Sequence, residues 1–140
     1  MVAYNKFEDF VNRLGIGKVH DLNADQIEVY LSNAAPSASL DTVKADLAEI
    51  ATGFGYTGPQ DTTNTASETT GTLTVVGVDV IVTASGGTVG PFRYVVLMNT
   101  TPASPLDPLI AWWDHGSAVT LNAGESFTVD FGSDQLFTLV

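Results

Sequence analysis

Cysteine is absent from the 140 residues. That excludes a disulfide framework, a thiolate metal site and a cysteine nucleophile. Basic residues are scarce: five Lys and Arg stand against sixteen Asp and Glu, a formal net charge of −11. A nucleic-acid binder needs a basic face to meet phosphates, and adhesion to an anionic membrane needs the same, so neither partner is expected. Long apolar runs are also missing. Tyr94–Met98 and Leu109–Trp113, each five residues, are among the longest, whereas a membrane-spanning helix needs about 20. The first fifteen residues scatter charges among apolar positions and form no signal-peptide core. These absences predict a soluble chain.

What is present suffices for a core. Hydrophobic residues make up 44% of the chain, so it is no disordered acidic tail. Phe7, Phe10, Val11 and Leu14 recur at helical spacing and predict a short N-terminal helix within residues 1–15. Asn5 is the predicted N-cap, Glu8 completes a capping box, and Gly15 suits a left-handed C-terminal position. Such a helix is marginal alone and must dock its Phe stripe, either on its own domain or on a partner.

From Gln26 onward the pattern is β. Gln26–Ser32 alternates as a half-buried strand, with Ile27, Val29 and Leu31 on one face and Tyr30 on the other. Asp41–Ala51 fits a helix or a loop with one helical turn. Thr62–Thr74 reads as a polar edge strand or extended loop. Strands follow at Thr72–Val76 and Val78–Thr83, with a bulge or bend at Gly77. Ser85-Gly86-Gly87 is a turn. Phe92–Asn99 is nearly continuously apolar and belongs in the middle of a sheet. Thr101–Pro108 carries three prolines and is a loop. Leu109–Asp114, Ala118–Leu121, Glu125–Phe131 and Gln135–Val140 complete the set, with a break at Gly116. The prediction is one all-β domain over residues 1–140: an antiparallel jelly roll or β-sandwich of about eight strands over 26–140, preceded by the short helix.

Chemistry is sparse. Asp114, His115 and Ser117 lie close in sequence, but a triad requires fixed mutual geometry and no G-x-S-x-G elbow surrounds Ser117. A polar turn explains them as well. No H-x-x-H pattern points to zinc, and the carboxylates are spread rather than clustered for calcium. Asp130 and Asp134 flank one turn and could only lend ligands. Gly15-Ile16-Gly17-Lys18 lacks the spacing of a P-loop. No metal and no cofactor is expected. Trp112 and Trp113 are adjacent on a strand, so one indole can fill the core while the other faces out, to stack on a sugar or anchor a protein. Arg93 sits in an apolar strand and is expected to pair with a carboxylate or serve an interface.

Four segments, Asn5–Val11, Ala84–Tyr94, Leu109–Asp114 and Gly124–Phe131, together resemble a family of small virion proteins of tailed phages and prophages. These are capsid cement, or head decoration, proteins with a jelly-roll fold. The resemblance covers most of the chain and is weakest across Thr52–Thr72. It implies a non-enzymatic virion component on the exterior of an icosahedral capsid. The implied partners are the major capsid protein and further copies of the chain, a dimer before a trimer. Phe7, Phe10, Leu14, Arg93 and Trp113 are the candidate partner-facing residues. One alternative is a tail-tip or fibre module recognising host glycan through a tryptophan. A more distant one is a hydrolase built on Asp114, His115 and Ser117.

Overall fold

A strand as apolar as Phe92–Asn99 can exist only with both faces covered and both edges paired, and the fold is arranged around that requirement. A computed structural model describes residues 3–133 and 135–140. The elements are β1 (Asn5–Lys6), α1 (Glu8–Gly15), β2 (Ile27–Ser32), β3 (Gln60–Asp61), β4 (Thr65–Thr69), β5 (Thr72–Val76), β6 (Val80–Thr83), β7 (Val89–Asn99), β8 (Leu109–Leu121), β9 (Ser126–Val129) and β10 (Gln135–Leu139). The chain is thus an all-β sandwich with one short helix. Two strands beyond the expected ones, β1 and β3, are two residues each, too short to show a period in sequence.

All strand pairings among the described residues are antiparallel. One layer is the sheet β1-β8-β7-β2-β3; opposite it lie the sheet β10-β5-β4 and the ribbon β6-β9. β7 is central, and Val96, Leu97 and Met98 are at most 1% exposed. One continuous core draws residues from all three sheets and from α1. β4 is the polar edge strand that its threonines predicted. The bend at Gly77 carries the chain from the three-stranded sheet to the β6-β9 ribbon.

Three expectations change. The helix begins at Glu8, with Phe7 at the N-cap and no side-chain cap; Asn5 lies in β1. Glu8 N donates to Ala38 O (2.9 Å), and Phe7 N donates to Ile110 O (3.1 Å). Tertiary carbonyls therefore satisfy donors that Asn5 was expected to serve. Gly15 stays within the helix, and Lys18 takes the left-handed conformation instead (φ 52°). Third, β2 is covered on both faces. Tyr30 is buried and donates to Leu47 O (3.0 Å), while the Tyr56 hydroxyl accepts from Leu31 N (3.0 Å) and donates to Glu49 (2.6 Å). Residues 43–58 lie over that face, and burial pushes the Tyr30 and Tyr56 phenols up in pKa. Within that cover the ambiguous Asp41–Ala51 resolves as loop with a single 3₁₀ turn, Lys44–Asp46. The Asp46 carboxylate accepts from Thr42 N and Val43 N, which holds its pKa below the usual range.

The covering loop is pinned by a tight hairpin, Gly53 to Tyr56. Gly53 and Gly55 both have positive φ, 128° and 102°. A Cβ on Gly53 would meet open space, whereas one on Gly55 would run into the Thr83 carbonyl oxygen. Gly55→Ala should therefore cost about 2 kcal/mol or more, and Gly53→Ala only backbone strain of about 1 kcal/mol. Urea unfolding of both variants checks this; equal costs would show that Gly55 makes no close approach.

Candidate functional site

Opposite Arg93, β8 carries extra residues. Val95 opposes Trp113 and Tyr94 opposes Asp114, but the next pair is Phe92 with Val119. Residues 115–118 bulge out, with Gly116 at φ 97°. The predicted break at Gly116 is therefore a bulge inside one long strand. Asp114 anchors it. Its Oδ1 accepts from Gly116 N (2.8 Å) and Arg93 Nε (2.7 Å), and its Oδ2 accepts from Arg93 Nη2 (3.0 Å). The Arg93 hydrogen bonds, then that from Gly116, hold the Asp114 carboxyl below its ordinary pKa; the same pairing raises that of Arg93. The pair is bidentate, the favoured geometry for guanidinium and carboxylate.

This arrangement turns Asp114 away from the other residues that suggested a triad. Asp114 faces Arg93, not His115. His115 Nδ1 lies 3.3 Å from the Ser117 carbonyl oxygen rather than its hydroxyl. The His115 ring instead stands edge-on to Phe127, 5.7 Å between centroids. Among the described residues no hydrogen bond joins a base to the Ser117 hydroxyl.

Beside the bulge an aromatic cleft of about 260 Å³ opens between the two layers. Val95, Trp113 and Val129 form its buried floor, Phe127 and His115 its walls, and Thr128 and Asp130 its rim. Phe127 is fixed by an edge-to-face contact with Phe92 at 4.9 Å, and Trp113 by Phe131 at 5.9 Å. The cleft is apolar with a polar lip.

Of the five candidate partner-facing residues, three are core. Phe7, Phe10 and Trp113 are 0%, 1% and 4% exposed. Phe7 packs on Trp112 (4.6 Å) and Phe10 on Phe137 of β10 (5.8 Å). The helix thus docks on its own domain, where full burial of a Phe is worth about 1.5–3 kcal/mol. Leu14 is half-buried against the core, and Val11 of the same stripe is exposed. Trp112 is half-buried. Arg93 lies part-exposed in its ion pair and is not in the cleft.

Among the described residues no group of three His, Asp or Glu could hold a metal ion, and no helix is long and apolar enough to cross a membrane. Asp134 lies outside the described residues. In sequence, Phe127 and Val95 are ordinary strand residues; only the approach of β9 to β8 makes them neighbours of Trp113. Compared with protein-family models, curated proteins and solved structures, the chain matches none.

Trp113→Ala should cost about 3–5 kcal/mol, as for other large core truncations. His115→Ala and Ser117→Ala should leave the unfolding midpoint unchanged. Chemical denaturation of the three variants tests this. A small penalty at Trp113 would place that indole outside the core.

Proposed function

We propose that the chain is a non-enzymatic cement, or decoration, protein of a tailed-phage head. It binds the outer surface of the icosahedral shell and stabilises contacts between major capsid protein subunits. The observation that carries this reading is spatial. Three of the four segments behind the family resemblance, Ala84–Tyr94, Leu109–Asp114 and Gly124–Phe131, converge on one block. They supply the first halves of β7 and β8, which meet at the Tyr94–Asp114 pair, strand β9, the Arg93–Asp114 clamp and most of the cleft. Residues that act together in space are better grounds for a resemblance than scattered matches.

The physical character of the block supports adhesion. Its ionisable side chains serve as fasteners, as Asp114 and Asp46 do. A stiff, doubly covered sandwich suits a part that bears load. The net charge of −11 suits an exterior position, because packaged DNA would repel it. Weak contacts of one copy gain strength when further copies or linked sites engage a lattice together. In this reading the chain assembles as a homo-oligomer, a dimer before a trimer, and takes no cofactor.

The cleft favours one second reading, a tail-tip or fibre module that takes a glycan. Phe127 offers a partly exposed aromatic face, and Asp130 and Thr128 offer hydrogen-bond acceptors at the lip. Trp113 cannot be the stacking surface, since it is buried.

Purified protein mixed with capsids of the encoding phage should bind them many times more tightly than it binds isolated coat subunits. Electron microscopy of the particles should place copies across the shell. Equal affinity for free subunits would sink the lattice mechanism, and density confined to the tail, with binding on a glycan array, would favour the second reading.

A further inference from the structure

At the end of β7, Asn99 is fully buried and its amide orientation is fixed by neighbours. Its Oδ1 accepts from Thr101 N (3.0 Å), and its Nδ2 donates to Asp25 Oδ2 (2.7 Å). The same Nδ2 lies 3.1 Å from His20 Nδ1. A nitrogen that meets a donor must itself be an unprotonated acceptor, so the proton of the neutral ring resides on Nε2. Nε2 is buried and unpartnered among the described residues. The ring stands edge-on to Phe10, 5.2 Å between centroids.

We propose that His20 is an acid-sensitive latch: as the neutral Nε2–H tautomer it fastens α1 and residues 20–25 to the end of β7, and a second proton, on Nδ1, releases them. The proposal is independent of the capsid reading. Protonated Nδ1 would point a donor at the Asn99 donor. Asn99 cannot turn its oxygen toward the ring without losing both Thr101 N and Asp25. The charged groups around the ring do not compensate. Asp25 attracts a cation, but its Oδ2 already accepts from Asn99 and from Asp21 N (2.9 Å). From α1, Asp9 and Arg13 face the ring and are paired with each other. Asp21 and, from β4, Glu68 line the adjoining cleft.

Desolvation dominates, with the attraction of Asp25 and Asp9 and the repulsion of Arg13 secondary, and the ring's pKa is lowered to about 4. A released ring titrates near 6.5. The sign follows. The latch holds fully above about pH 6.5, and weakens as pH falls toward 4, because the released state then binds the extra proton. An eight-residue helix does not persist undocked.

Two measurements on the whole chain test this. Nitrogen-15 NMR of the imidazole at pH 7.5 should show unprotonated Nδ1 and protonated Nε2; the opposite tautomer would overturn the latch. Hydrogen exchange of residues 8–15 should be compared between the native protein and His20→Asn, whose Oδ1 keeps an acceptor near the Nδ1 position but does not titrate. Between pH 6.5 and 5, above most carboxylate titrations, the native-to-variant rate ratio should rise about tenfold. A flat ratio would refute the proposal. If His20→Asn does not fold, exchange of α1 relative to the β7 amides of the native protein supplies the same comparison: α1 must accelerate selectively on acidification, and parallel change would refute it.

Discussion

Burial of β7 on both faces is the constraint from which the rest of the structure follows. A strand with Val95, Val96, Leu97 and Met98 in succession needs partners on both edges and a layer on each side. β2 and β8 supply the edges. One face receives β5, β6, β9 and β10. The other side of β2, its neighbour, receives the loop 43–58: Tyr30 of β2 donates to the loop carbonyl of Leu47, and Tyr56 of the loop accepts from Leu31 N of β2 and donates to the Glu49 carboxylate. Covering a sheet face with loop is tolerable only when buried polar groups are satisfied, and here the buried phenols satisfy these.

The same economy governs the polar side chains. Asp114 holds Arg93 and the bulge, Asp46 closes the 3₁₀ turn, and Asp25 and His20 hold the connection after the helix to Asn99 at the end of β7. These groups stabilise geometry, and each is occupied by a partner close at hand. A carboxylate engaged by a bidentate guanidinium is a poor general base, because the ion pair favours its charged, unprotonated form and fixes its lone pairs. The molecule therefore invests its few polar clusters in rigidity. That is the property a lattice-binding part requires, and it is the physical link between the fold and the proposed role.

The aromatic cleft and the latch mark the two ends of this design. Around the cleft, Phe127 stands edge-to-face on Phe92 and Trp113 tilts against Phe131, contacts that fix ring orientations beyond what burial alone would do. Around His20, fixation comes from hydrogen-bond polarity: a single buried amide decides which ring nitrogen bears the proton.

Much of the architecture is local and was legible without a structure. The apolar run of β7, the alternation of β9, the polar edge strand β4, the proline loop 101–108 and the bend at Gly77 are all written in short-range pattern, because strand period and turn chemistry act over a few residues. Tertiary structure decided what no window could show. Ala38 supplies the acceptor that leaves Asn5 without a capping role, and loop 43–58 buries Tyr30 on the face expected to be open. The arrival of β9 and Phe131 draws Trp113 inward, while Phe7 and Phe10 turn to the protein's own core and not to a partner. Asn99, far along the chain from His20, sets the tautomer of that ring. In each case a donor, an acceptor or an apolar wall arrives from a remote segment, and proximity of that kind is created only when the chain closes on itself.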